Sequence, residues 1–506
     1  TISDYGLNRV DVVASGALDD DLYYMVGGYI KSSEGIRDAG FNSEQGNQFT
    51  VNITKVFEKG ELNLYTRQTD DRGTWYLPTP LNVEGIDANY TQIGPLNRQG
   101  TITYGPNDTT ESFDFGEGRG WDGHVSGGSI KLDLGNDWQL VDRFNLTKGE
   151  ANTFGLVPNG SATTVANVAD NGESATGAVT GTVYDGDTPI QQIGRWVVLK
   201  DIEAFTNDLA VSKSWEDFDT SFGIYSATTK AEDWWSIGNT AYHVLQPGGE
   251  LLDGIECNAD AQGCGFNYDI SSVGDASTFA FYATGTWYAT TDLSIDLGLR
   301  RENHEVSYSV DEGLDGRITK ALEYDETKTS WTVGANYALN DNSGLFVRMN
   351  RGYKMPYFDD FRDNWEAYTG GNDLIKEVTQ GELGYKFIND SIQLFATAFA
   401  NEVKGDTFVR LPGAPAEILT NEAYGIELDG RYSHDSGFSL SVNATVQETE
   451  ITESAENEGN EAQRQPGWQV RVTPSYGFDI GDMFATVYGT LSAVDDRFGN
   501  NENTVV

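Results

Sequence analysis

The chain has 506 residues, 58 of them glycine and only 12 proline, with 12% aromatic residues and a formal net charge of −45. So large a negative charge excludes nucleic-acid binding, which needs a basic face. No run of apolar residues is long enough for a membrane-spanning helix, but a mean hydropathy of −0.45 leaves room for strands that are apolar only at every second residue.

In chain order, the alternation predicts nine hairpins. The first lies in residues 7–34 and turns at Ala17–Asp21. The second turns at Glu58–Gly60, with Phe49, Val51 and Ile53 on one face of its first arm; its second arm, with Leu62 and Leu64, leads into a long segment from Gln68 to Gly120. The third turns at Gly135–Asp137, and a polar stretch (152–193) follows it. The fourth turns near Glu216–Asp217. Residues 231–275 then read as a long loop region that carries Trp234, Trp235 and both cysteines.

The fifth hairpin turns at Thr290–Asp292 and has the cleanest alternation in the chain, Leu293, Ile295, Leu297 and Leu299 against Ser294, Asp296, Gly298 and Arg300. The sixth turns at Asn340–Gly344. Period two places Trp331, Val333, Leu345 and Val347 on an apolar, lipid-facing side and Asn336, Arg348 and Asn350 on a polar, lumen-facing side. The seventh turns at Ile388–Asp390, the eighth at His434–Gly437 and the ninth at Asp479–Asp482; Pro474 is the one proline inside a strand and marks a local irregularity.

Nine hairpins give about 18–19 strands, with turns short on one side and connections long and polar on the other, the pattern of outer-membrane barrels. An open sheet of that size would leave two edges unpaired, whereas closure in lipid satisfies every backbone group. The expected fold is therefore all-β, a transmembrane antiparallel up-and-down β-barrel.

Several residue groups are candidates for chemistry. Cys257 and Cys264 lie close together in a Gly- and Asp-rich loop, as a disulfide-closed loop would require. The loop aromatics Trp75, Tyr76, Trp121, Trp234, Trp235, Trp365 and Tyr368 fit either a girdle at the lipid interface or stacking on an extracellular ligand such as a sugar or an aromatic compound. Arg72, Arg119 and Arg362 could pair with carboxylates or iron-chelating acids, or simply balance the acidic surface. Asp359, Asp360 and Asp363 raise Ca²⁺ binding as an option, against solvated loop acids. No catalytic constellation and no dinucleotide or phosphate loop is present, so the reading is a non-enzyme with no cofactor.

The ordered motifs resemble the barrel domain of TonB-dependent outer-membrane receptors. GGYIKSSEGIRDAGF and QFTVNITKVFEKGELNLYTRQTDDRGTWYLPTPL look like its first four strands, TGTWYATTDLSIDLGLRREN like a mid-barrel hairpin, and NRGYKMP like a strand end of the family. NDLIKEVTQGELGYK, with Glu377 and Glu382, and NEAYGIELDGRY continue the resemblance. It implies a Gram-negative outer-membrane protein with a barrel of about 22 strands. It also implies a plug domain upstream, through which the TonB energy-coupling protein acts, and energy-coupled uptake of a small-molecule ligand. Residues 1–506 are then expected to be an incomplete barrel domain, without plug and last strands. The loop aromatics and acidic surface tilt the expected cargo toward a carbohydrate or aromatic compound, with a ferric siderophore as the alternative and a passive porin as the more distant one.

Overall fold

The computed structural model describes residues 1–506 except 81, 82, 85, 88, 170, 171, 254, 256–265 and 409–416. The expected Cys257–Cys264 disulfide lies outside the described residues.

One large antiparallel sheet dominates. Its strands begin with Asn8–Asp19, Leu22–Ser33, Glu44–Phe57 and Gly60–Gly73, and continue with Arg119–Gly135, Trp138–Thr164, Pro189–Ser214, Phe218–Val244 and Tyr268–Tyr288. Then come Leu293–Glu312, Lys320–Asn340, Ser343–Lys354, Lys376–Ile388, Ile392–Phe408, Glu417–Ser433, Phe438–Glu453 and Trp468–Ile480. Each pairs with the next in sequence. The remainder of the sheet follows the same rule. Met483–Tyr488 and Leu491–Val494 both pair with Trp468–Ile480 and continue one another. The interruption lies opposite Pro474, whose carbonyl accepts from the Gly489 N–H at 3.2 Å. Up-and-down topology and strand number thus match the expectation.

All nine predicted turns are present. Asn136 and Asp137 both adopt positive φ (53° and 63°), which gives the tight hairpin the twist its strands need. Facing also follows the alternation. Val333, Tyr337, Leu345, Val347 and Met349 are exposed on one face, as a lipid-facing wall requires. On the other face Asn336 donates to Asp296 at 3.2 Å and accepts from Lys386 at 3.3 Å.

Two expectations about loops need correction. The polar stretch 152–193 and the region 231–275 are largely strand. Trp138–Thr164 and Phe218–Val244 have 27 residues each, and Pro189–Ser214 has 26. A tilted strand crosses the membrane in about 9–11 residues, so these run far past the apolar belt. Their upper parts lose a clean alternation because both faces are covered by other segments. On the outward face lies the hairpin Gln99–Tyr104 and Thr109–Asp114. It covers Phe154, Leu156 and Val197, all buried, and Val197 shares a face with Phe205 and Leu209. On the inward face lie two short helices, Phe358–Asp363 and Trp365–Thr369.

Candidate functional site

The inward helices form the best-defined polar cluster of the sheet's long-loop end. Pro356 has no N–H to donate, and the strand Ser343–Lys354 ends just before it. The Asp360 carboxylate then accepts from the Tyr357 N–H at 3.0 Å and fixes the start of the first helix. Phe358 and Phe361, three residues apart, share one helix face and are buried. Phe358 stacks on Tyr308 at 5.9 Å, and Phe361 meets Tyr324 at 5.2 Å. Gly274 makes room for this docking, because a Cβ there would stand 2.3 Å from the Phe358 ring.

Arg362 is the centre of the cluster. Its guanidinium lies 4.1 Å from the Trp235 ring centroid. It pairs with Asp359 at 2.7 Å, Asp363 at 2.8 Å and Asp233 at 3.7 Å. Lys200 joins the network, at 2.9 Å from Asp233 and 3.2 Å from Asp359. Burial opposes the charge on Asp359, but Arg362 and Lys200 outweigh it and hold its carboxyl below the usual carboxylate range. Burial likewise works against the Arg362 charge, and Asp359 and Asp363 reverse that, so the guanidinium is held even more firmly protonated. One Asp233 carboxylate oxygen, the Trp235 Nε1 and the Tyr308 and Tyr324 hydroxyls are buried without a hydrogen-bond partner among the described residues.

Of the seven loop aromatics, Trp235, Trp365 and Tyr368 come to this inner cluster, and Trp121 packs elsewhere on the wall. Lys320 lies 5.5 Å from the Trp365 ring, and Tyr368 packs on Phe361 at 5.1 Å. The other three do not join it. The Arg119 guanidinium lies 4.2 Å from the Trp75 ring, Trp196 meets that ring edge-on at 6.4 Å, and the Tyr76 hydroxyl donates to the Arg37 carbonyl at 3.0 Å. Trp234 alternates with Trp235, so it faces outward, where Tyr104 of the covering hairpin meets it at 4.9 Å.

The acidic and basic candidates are occupied as well. Asp360 pairs with Lys354 at 3.2 Å, while Asp359 and Asp363 hold Arg362. All three acids are ion-paired, and Asp359 stays 58% exposed. Arg72 pairs with Glu117 at 3.1 Å. Trp121 packs on the backbone at Gly123 and Gly149, where a Cβ would stand 2.5 and 2.9 Å from its ring.

Asp233 and Gly274 were missed because the region 231–275 reads as loop, and Lys200 because its partners come only from cross-strand register. Sequence reasoning also missed Glu250. This buried carboxylate accepts from the Val179 and Thr180 N–H groups at 3.1 and 2.9 Å and from the Tyr184 hydroxyl at 2.9 Å, and so ties two loops together. Burial pushes its pKa up, but these donors prevail and hold it low. A Cβ at Gly177 would stand 2.1 Å from it. A second concavity, a cleft of about 680 Å³, opens on the outward face beside the covering hairpin. The laterally paired carboxylates Asp70, Asp122, Glu150, Asp201 and Glu232 cross it.

A single run of antiparallel strands, apolar outside and polar inside, with a structured segment folded over the inner face at its long-loop end, has the architecture of an outer-membrane-type barrel wall. The chain belongs to the TonB-dependent receptors: the family described as TonB dependent receptor-like, beta-barrel, matches residues 14–505. The pesticin receptors of Yersinia pestis and Yersinia enterocolitica are 24% identical over 237 residues, which is 44% of this chain and 33% of theirs. The chain thus aligns with about a third of the length of those relatives. Among solved structures, the ferric yersiniabactin uptake receptor FyuA of Yersinia pestis superposes with a TM-score of 0.69 at 15% identity, over 99% of this chain and 68% of that one. The ferric citrate transporter FecA gives 0.67 at 11% identity, over 100% and 65%. The copper transporter OprC gives 0.65 at 11% identity, over 98% and 66%.

Proposed function

We propose that the protein is the barrel wall of an outer-membrane receptor that takes up a ferric siderophore or a similar metal chelate, driven through the TonB energy-coupling protein by way of a plug domain. Family membership over residues 14–505 is the observation that carries this reading. The relatives named for a cargo support it: ferric yersiniabactin, ferric citrate and copper.

The carbohydrate or aromatic cargo expected from the sequence rested on free loop aromatics and free acidic loops. Trp75, Tyr76, Trp234 and Trp235 are engaged in packing or hydrogen bonds, and Asp359, Asp360 and Asp363 in ion pairs. These contacts weaken the ground for a carbohydrate. Trp365 and Tyr368 remain half-buried at the inner cluster and are the aromatic residues we assign to ligand contact.

The test is growth of an iron-starved strain that lacks its own receptors and expresses the full-length protein. Ferric siderophores and oligosaccharides are supplied as alternative panels. Growth restored by a ferric chelate supports the reading. No growth with any ferric chelate, in cells where the same protein restores growth on an oligosaccharide as sole carbon source with iron supplied, contradicts it.

A further inference from the structure

The outward wall carries an apolar groove of about 470 Å³ with one cation at its edge. Leu209, Phe222, Ile224, Phe281 and Leu299 line it, all exposed, and Arg301 closes one end. Leu209, Ile224, Phe281 and Arg301 are lateral neighbours in one row across four strands, and Phe222 and Leu299 belong to the next row down. The groove therefore belongs to the lipid-facing side.

Arg301 is the anomaly in that row. It is exposed and forms no ion pair with any described residue; its side chain donates to the Thr329 hydroxyl at 3.4 Å. The outward cations nearby are treated differently. Lys148 pairs with Glu203 at 3.2 Å and Lys230 with Asp275 at 3.3 Å. At the far end of the same row, Asp142 is held by Asn207, which donates to it at 2.7 Å. In a chain of net charge −45, a guanidinium left without a carboxylate at the mouth of an apolar groove calls for an external anion.

Height decides what that anion is attached to. Arg301 stands eight residues beyond the start of its strand at Leu293. That is roughly 26 Å along the strand, or about 20 Å along the membrane normal once tilt is allowed for. The apolar band of such barrels is about 25 Å tall, so Arg301 lies at its loop-side edge, where lipid phosphates lie. Trp287, exposed on the same face beside the short turn, marks the opposite edge.

We propose that this groove is a specific site for an anionic, phosphate-bearing lipid, with an acyl chain against Phe222, Phe281 and Leu299 and the phosphate on Arg301. The inference rests on the outer-membrane reading. A guanidinium matches a phosphate with paired N–H donors, and the groove supplies apolar contact that a free phosphate cannot use.

The experiment uses the full-length receptor, extracted from the outer-membrane fraction, delipidated and titrated with phosphatidylglycerol or with phosphatidylcholine of the same chains, with bound lipid counted by native mass spectrometry. The site predicts one tightly held phosphatidylglycerol, a roughly tenfold weaker complex for Arg301→Gln, and partial recovery in Arg301→Lys. Ala283→Phe, which fills the groove, should weaken binding as well. Equal retention by wild type and Arg301→Gln, equal binding of both lipids, or displacement by inorganic phosphate alone overturns the proposal. Heat-dependent gel migration checks that each variant is folded. Absence of the wild-type protein from the outer-membrane fraction overturns the underlying reading instead, and is seen before any lipid is added.

Discussion

At the residue scale, Arg362 carries the inner cluster. Its side chain is 6% exposed, and the Asp233 carboxylate beside it is 4% exposed. Removing one partner of a buried ion network leaves the other charges uncompensated. Arg362→Ala should therefore cost about 3 kcal/mol and free the two short helices. Limited proteolysis between residues 357 and 371 reads this directly. Arg362→Lys should rescue only part, because an ammonium can neither stack flat on Trp235 nor bridge two carboxylates in the same plane. Acid gives a second test. The Asp359 carboxyl is depressed in the folded state, so its contribution is complete above the ordinary value of 3.8 and is lost as pH falls through the lower folded value. Lowering the pH from 5 to 3 should loosen the segment, seen as a change in Trp fluorescence that is absent from Trp235→Phe. Glu250→Ala should act in the same way on the neighbouring loops, at about 2 kcal/mol, because it strands buried donors.

At the scale of elements, the turns and the alternation define the wall. Asn136 and Asp137 sit at positive φ, where a β-branched residue is strained. Asn136→Val should lower the urea midpoint of the lipid-inserted protein by an amount equivalent to about 1–2 kcal/mol. Facing is tested by a pair of substitutions on one strand. Val347→Arg puts a charge against lipid and should cost about 2–4 kcal/mol, whereas Asn350→Arg points to the lumen and should cost little. These features were legible from sequence because each depends on local chemistry: a turn residue pair, or period two over a half-buried strand. The upper strands were not legible. Around Trp234 and Trp235 one face meets the hairpin that carries Tyr104 and the other meets Arg362, so both sides are covered and the pattern that marks a strand disappears. The partners of Arg362 were hidden for the same reason. Asp233 and Lys200 become neighbours only through cross-strand register, and Asp359 reaches them from far along the chain.

At the scale of the whole molecule, the sheet order follows the chain order from the first strand to the last, so each hairpin is a local unit and the wall grows by addition. Cargo is not written in such a wall. It depends on which loop residues stay free once packing is complete, and Trp75, Tyr76 and Trp234, which look available in sequence, each have a packing or hydrogen-bond partner in the fold. On the proposed reading, energy coupling likewise belongs to the assembled receptor and not to the wall alone. The most direct test is radioactive iron uptake, supplied as a ferric siderophore, by cells that express the full-length protein with and without a functional TonB. The account predicts saturable uptake that requires TonB and falls when Trp365 and Tyr368 are both replaced by alanine. Uptake that persists at the same rate without TonB would contradict it.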